Sequence, residues 1–191
     1  MLSAASNPIN IEAFKLVLAM ANPTLNVVMR YWAESFFVVL PLLVLYFYLR
    51  KDKNVFSFVV AGVVLFLISD TIKMITKEPR PCEVSSLSWI NVVACEGGYS
   101  FPSNHAMTLT GLAIFTKNYK YLRVLYVAWL LVILFGRVYT GAHYLTDVIA
   151  GVALSIVVAW IIYSKRRQIN GFLAKIACRI LPPLFPKEFM A

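Results

Sequence analysis

Five runs of uncharged, strongly apolar residues, separated by short charged clusters, limit what this chain can fold into. Ser35–Leu49, Val55–Ser69, Ala106–Thr116, Val124–Gly136 and Val148–Ser164 contain no Asp, Glu, Lys or Arg. A bilayer satisfies such runs only as helices, because every backbone polar group must then find its partner within the segment. Crossing the hydrocarbon core takes roughly 20 residues, so the shorter runs span only with their charged ends at the interfaces. Of 191 residues, 60% are hydrophobic and 14% charged, where soluble domains hold about 45–50% and about 25%. The expectation is an all-α, polytopic membrane helix bundle of about five spans, built as a single domain over residues 1–191. The net charge of +9 does not point to nucleic acid, since the basic residues lie in short clusters between the apolar runs.

Those clusters orient the bundle. With the Arg50–Lys53 turn in the cytoplasm, twelve of the eighteen basic residues fall on that side, and seven of the nine acidic residues on the other. Cytoplasmic loops carry such an excess of Lys and Arg. Residues 1–30 read as an interfacial segment: Leu16–Met29 is apolar but interrupted by Asn22, Pro23 and Asn26. A sixth span there is the alternative. No basic region precedes an apolar stretch at the start, which argues against a cleaved signal peptide. Residues 31–164 form the helical core. In residues 165–191, Ile169, Phe172, Leu173, Ile176 and Ile180 recur at helical spacing among Lys175 and Arg179, predicting a basic amphipathic tail on the anionic cytoplasmic leaflet.

Ionisable residues at membrane depth are costly and mark functional sites, and here the topology gathers them on one face. Lys73 closes the second span and Arg80–Pro81 follows it. Pro102, Ser103, Asn104 and His105 open the third span. Arg137 closes the fourth, and His143 and Asp147 open the fifth. Both histidines of the chain belong to this set. Three cations suit phosphate oxygens, Arg through a forked donor and Lys as a point charge. Pro102 fits a helix start, whose free N–H groups attract an anion. His143 and Asp147, four apart, share a helix face, so a carboxylate can orient an imidazole for nucleophilic attack. His105 is left to protonate a leaving group. Taken singly, each has a structural reading: Lys73 and Arg137 mark interfaces, Asp70 pairs with Lys73 along the helix, and Asp147 complements a helix N-terminus. The convergence of all of them on one face favours phosphoryl transfer without a metal. Zinc fits poorly, since Cys82, Cys95 and the histidines lack its ligand spacing.

Lys73-x6-Arg80-Pro81, Pro102-Ser103-Asn104-His105 and Gly136-Arg137-x5-His143-x3-Asp147 together resemble the three-part signature of the type 2 phosphatidic acid phosphatases, which share an active-site plan with the vanadium haloperoxidases. The resemblance implies His143 as nucleophile, Asp147 orienting it, and His105 as general acid. It implies Lys73, Arg80, Arg137, Ser103 and the backbone at Asn104 as the phosphate-binding set, with no cofactor. Asn104 stands where the family usually has Gly, and Gly136 where it often has Ser. Small size and the lack of an added soluble domain are similar to the polyprenyl diphosphate phosphatases, with phosphatidylglycerophosphate or phosphatidic acid as alternative substrates. The partner is then a lipid phosphate, met at the extracytoplasmic face of an integral membrane protein. A transporter would place polar residues near the middle of several spans, whereas these spans are nearly free of them. A binding protein without turnover would not need Asp147 behind His143. Cys82 and Cys95, in one outer loop, are a possible disulfide in an oxidising compartment.

Overall fold

The computed structural model describes residues 4–84, 97–185 and Phe189. Eight α-helices account for most of them: α1 (Pro8–Met20), α2 (Pro23–Glu34), α3 (Phe36–Leu49), α4 (Asn54–Thr76), α5 (Asn104–Leu112), α6 (Lys120–Tyr139), α7 (Leu145–Ser164) and α8 (Arg166–Ile180). No strand occurs among the described residues. Each of the five apolar runs folds as helix, and the architecture is an all-α membrane bundle. Three segments, Asn54–Glu83, Lys120–Tyr139 and Leu145–Ser164, are long and apolar enough to cross a membrane, and α2 with α3, bent by 40°, passes together as a fourth.

The N-terminal segment is a broken helix, for a reason visible in two Asn-Pro pairs. Asn7 accepts a hydrogen bond from Ile9 N–H and Pro8 opens α1; Asn22 accepts from Leu25 N–H and Pro23 opens α2. Proline cannot continue the hydrogen-bond ladder of α1 but is tolerated in the first turn of α2, so the chain breaks at Ala21–Asn22. The helix of the second half then runs on to Glu34 and meets α3 at Ser35.

The run Ala106–Thr116 takes a shorter form. α5 has nine residues and passes into a four-residue 3-10 turn, Ala113–Thr116, giving a length of about 20 Å at 1.5 Å per residue. It packs chiefly against α7 and α4 and sends Ala106, Met107, Leu109 and Leu112 into the core. The larger apolar cluster joins α3, α4, α5 and α6 around Phe47, Phe58, Leu65, Met107 and Ile133. A second cluster sits at the other end, where Phe14, Val17 and Met29 of α1 and α2 meet Tyr139, Tyr144 and Val148.

The basic tail folds as α8, and it does more than present an apolar stripe. Phe172, Ile176 and Ile180 are exposed, while Asn170 and Ala174 are buried. Asn170 Oδ1 accepts from Ser57 N–H at 2.9 Å, and its Nδ2 reaches Asn54 Oδ1 at 3.3 Å. A side-chain acceptor in the first turn satisfies a helix N-terminus that has no intrahelical carbonyl to use. The tail is therefore keyed to the start of α4.

Candidate active site

Among the described residues, every buried Lys, Arg, His, Asp or Glu belongs to one cluster: Lys73, Arg80, Arg137, His143 and Asp147, each 6% exposed or less. These are the ionisable residues that the sequence gathers on one face, with only the half-buried His105 added. Three cations face one carboxylate, so the pocket carries a positive field suited to an anion.

The end of α4 supplies Lys73. The helix terminates in Lys77, whose left-handed backbone (φ 50°) places its N–H on Lys73 O. Lys73 Nζ donates to Tyr99 O at 2.6 Å and Ser100 O at 2.8 Å, which holds the returning chain against α4. Asp70, one turn earlier, is exposed and makes no such bond. Arg80 works in the same way. Its Nε donates to Gly98 O at 3.0 Å, its two terminal nitrogens to Gly97 O at 3.1 Å and Ala142 O at 2.9 Å. Glu83 Oε2 accepts from Arg80 N–H at 3.0 Å.

The loop after α6 turns sharply enough to aim His143 back at these cations. Gly141 adopts φ 71°, a left-handed conformation that glycine takes without steric cost. Backbone bonds from Thr140 N to Gly136 O and from His143 N to Arg137 O, 2.9 and 3.1 Å, close the turn. His143 Nδ1 lies 3.5 Å from Asp147 Oδ2, and its Nε2 lies 3.5 Å from Arg80. Asp147 Oδ2 also accepts from Tyr144 N–H at 3.0 Å. Burial, then the charges of Arg137, Lys73 and Arg80, hold the His143 imidazole well below its ordinary range. A neutral imidazole with Nδ1 turned to a carboxylate leaves the Nε2 lone pair for attack.

Ser103 is fully buried and caps α5, its hydroxyl accepting from Ala106 N–H at 3.4 Å. Its own N–H donates to Asp147 O at 3.2 Å, which ties the start of α5 to the first turn of α7. Asn104 opens α5, and its Oδ1 accepts from Ser69 of α4 at 2.5 Å. The His105 and Phe36 rings meet in a T-shaped contact, centroids 4.5 Å apart. A side chain at Gly136 would meet Met29 Sδ at 3.8 Å and Met29 O at 4.0 Å, so that position faces α2. Cys82 is disulfide-bonded, while Cys95 lies outside the described residues.

One participant has no signal in the motifs. Ser100, wholly buried, donates to Asp147 Oδ2 and lies 3.4 Å from His143 Nδ1. It shares the carboxylate oxygen Asp147 Oδ2 with Tyr144 N–H. Only its place three residues ahead of Ser103, in the segment that Lys73 anchors, hints at this. Beside His105 and Asn104 opens an apolar groove of about 430 Å³ between α3, α4 and α5, lined by residues such as Leu40, Val63, Phe66 and Leu109.

Chemistry of this kind, carried on a bundle of apolar helices, belongs to membrane-embedded phosphatases. The PAP2 superfamily profile matches residues 53–170, more than half the chain, and the chain belongs to that family. It is 26% identical to an undecaprenyl-diphosphatase of Sulfolobus acidocaldarius over 174 residues, covering 87% of this chain and 82% of that one. It is likewise 26% identical to the undecaprenyl-diphosphatase BcrC of Bacillus subtilis over 178 residues, covering 86% and 88%. The crystal structure of Aquifex aeolicus LpxE superposes with a TM-score of 0.72 at 20% identity, covering 85% of this chain and 99% of that one. The likeness to that structure extends to the fold.

Proposed function

We propose that this protein hydrolyses a polyprenyl diphosphate to the monophosphate through a phosphohistidine intermediate. The observation that carries the reading is a pair of surfaces of opposite character: the groove lined by Asn104 and His105 starts next in the chain to Ser103, whose N–H is bonded to Asp147 O of the charged cluster. The cationic pocket around His143 holds the phosphoryl group, and the apolar groove beginning at His105 takes the lipid chain. Along α4 the groove runs from Phe58 to Leu67, nine helical steps or about 13 Å. Two relatives that align over most of their length carry the name undecaprenyl-diphosphatase, which supports the diphosphate over a phosphate ester of a simple lipid alcohol.

In this mechanism His143 Nε2 attacks the terminal phosphorus while the bridging P–O bond breaks. The leaving oxygen departs with the polyprenyl monophosphate and takes a proton from His105. Water then attacks the phosphohistidine, passes a proton to His105, and releases inorganic phosphate with His143 neutral again. Asp147, held by Ser100 and Tyr144 N–H, fixes the imidazole and stabilises the positive charge it acquires. Lys73, Arg80 and Arg137 stabilise the equatorial oxygens, the electrostatic part of phosphoryl transfer, and the reading assigns no step to a metal ion. The positive-inside charge bias supports an extracytoplasmic site and a cytoplasmic C-terminus.

The test is phosphate release by the purified protein in detergent with EDTA, comparing a polyprenyl diphosphate, phosphatidylglycerophosphate and phosphatidic acid. The expected result is metal-independent release, fastest on the diphosphate and abolished by His143→Ala. Activity lost to EDTA, or kept in His143→Ala, would overturn the phosphohistidine reading. A faster rate on either phospholipid would reassign the substrate.

A further inference from the structure

The segment that carries His143 and Asp147 is gripped by two helices lying ahead of the family-matched region, which begins at residue 53. Asn10 of α1 is fully buried and uses both halves of its amide. Its Nδ2 donates to Ala4 O at 2.9 Å and to Thr146 Oγ1 at 3.0 Å, and its Oδ1 accepts from Thr146 N–H at 3.1 Å. Thr146 is the second residue of α7 and directly precedes Asp147. The first N–H groups of a helix have no carbonyl of their own helix to meet. Here Asn10 satisfies that of Thr146 from 136 residues away. One turn along α1, the buried Phe14 ring packs on Tyr144, centroids 6.0 Å apart, immediately after His143. From α2, Asn26 Oδ1 accepts from Tyr139 OH at 2.6 Å, close behind Arg137. Both flanks of the turn between α6 and α7 are thus held by asparagines, Asn26 of α2 at Tyr139 and Asn10 of α1 at Thr146.

We infer that Asn10 is a positioning residue for the nucleophile. It sets the first turn of α7, and through that turn the distance and angle between Asp147 and His143. The inference rests on the reading of His143 as nucleophile. It also assigns α1 a catalytic consequence: the helix is a brace for the site, not only an interfacial segment. Asn10 touches neither the substrate nor the reacting atoms, so its loss acts on geometry alone. A misplacement of about 1 Å in a catalytic group can cost about 100-fold in rate.

The experiment measures kcat and KM for Asn10→Ala, Asn10→Asp and His143→Ala in the full chain, well below each variant's unfolding temperature. Asn10→Ala should lose roughly 10- to 100-fold in kcat with KM changed by less than about twofold, the pattern of an interaction realised in the transition state. Asn10→Asp keeps an acceptor for Thr146 N–H and should recover part of that loss. If Asn10→Ala does not fold, Thr146→Val removes one of the two bonds at constant volume and should lower kcat in the same sense. A folded Asn10→Ala with wild-type kcat, or one altered only in KM, overturns the inference while leaving the nucleophile reading intact, provided His143→Ala is inactive. An active His143→Ala overturns both.

Discussion

Gly151→Ala is a one-carbon test of how tightly the two halves of the site are joined. Gly151 lies one turn beyond Asp147 on α7 and faces the first turn of α5. A Cβ there would sit 3.0 Å from Ser103 O, 3.0 Å from Ala106 Cβ and 3.2 Å from Met107 N. Two of these are backbone atoms that no rotamer change can move. Restoring ordinary carbon contacts of about 3.5 Å or more requires α5 and α7 to part by roughly 0.5 Å. The bond from Ser103 N–H to Asp147 O, now 3.2 Å, would lengthen to about 3.7 Å, beyond useful hydrogen-bond range. Overpacking of this kind costs about 1–3 kcal/mol, offset by up to about 1 kcal/mol of gained helix propensity. The greater effect falls on rate. If about 1 Å of misplacement costs about 100-fold, half of that predicts a loss on the order of 10-fold in kcat. The assay is phosphate release from a diphosphate substrate, with thermal unfolding on the same preparation. Gly136→Ala is the control, since its Cβ meets nothing closer than 3.8 Å, and it should match wild type in kcat. A folded Gly151→Ala with full kcat would refute the claim that contact between α5 and α7 sets the catalytic geometry.

Five further outcomes are expected. With His143 held below its ordinary pKa of about 6.5, the neutral nucleophile persists as pH falls through that value, so the acid limb of kcat/KM should lie well below pH 6.5; a limb at 6.5 or above contradicts the buried, cation-ringed site. By the same linkage the unfolded chain binds that proton first, so stability should decline as pH drops from about 6.5 toward the folded-state pKa, as thermal midpoints across that range would reveal. Ser100→Ala removes a hydrogen bond to a charged group, worth about 1.5–3 kcal/mol, and should lower kcat by roughly one to two orders of magnitude with little change in KM. His105→Ala should slow a lipid monoester far more than a diphosphate, since only the poorer leaving group depends on the full 10²–10⁴-fold or so of general acid catalysis; equal losses would remove His105 from that role. Peptide mapping should find Cys82 joined to Cys95 and reduction should lower the thermal midpoint, whereas two thiols in untreated protein would exclude the bridge.

The buried charged cluster is legible because its members are expensive. Lys73, Arg80, Arg137, His143 and Asp147 stand out in a chain where charge is otherwise confined to interfaces, and their order and spacing add specificity. The break at Asn22–Pro23 was equally readable, since proline and an Asn cap act locally. Ser100, Asn10 and Ser69 were not readable. A small uncharged polar residue is cheap anywhere, and what gives each its role is a partner 47, 136 or 35 positions away. The tail shows the same limit. Helical periodicity correctly announced α8, but the residue that docks it, Asn170, lies off the apolar stripe and matters through Ser57 and Asn54.

Two of the cations that ring the pocket rest on the chain's own carbonyls: Lys73 on Tyr99 and Ser100, Arg80 on Gly97, Gly98 and Ala142. On the proposed reading, a phosphate oxygen arriving at either one would compete with partners already in place, so its net gain would be the difference between two bonds and not the whole of one. The same carbonyls receive the cations when the phosphate leaves, and no buried charge is stranded by its departure. Such a site would grip its inorganic product loosely, while cations already held in place stabilise the transferring group without further reorganisation. Weak inhibition by inorganic phosphate is the expected consequence of the loop that folds over the end of α4, so that the pocket would clear between one lipid and the next.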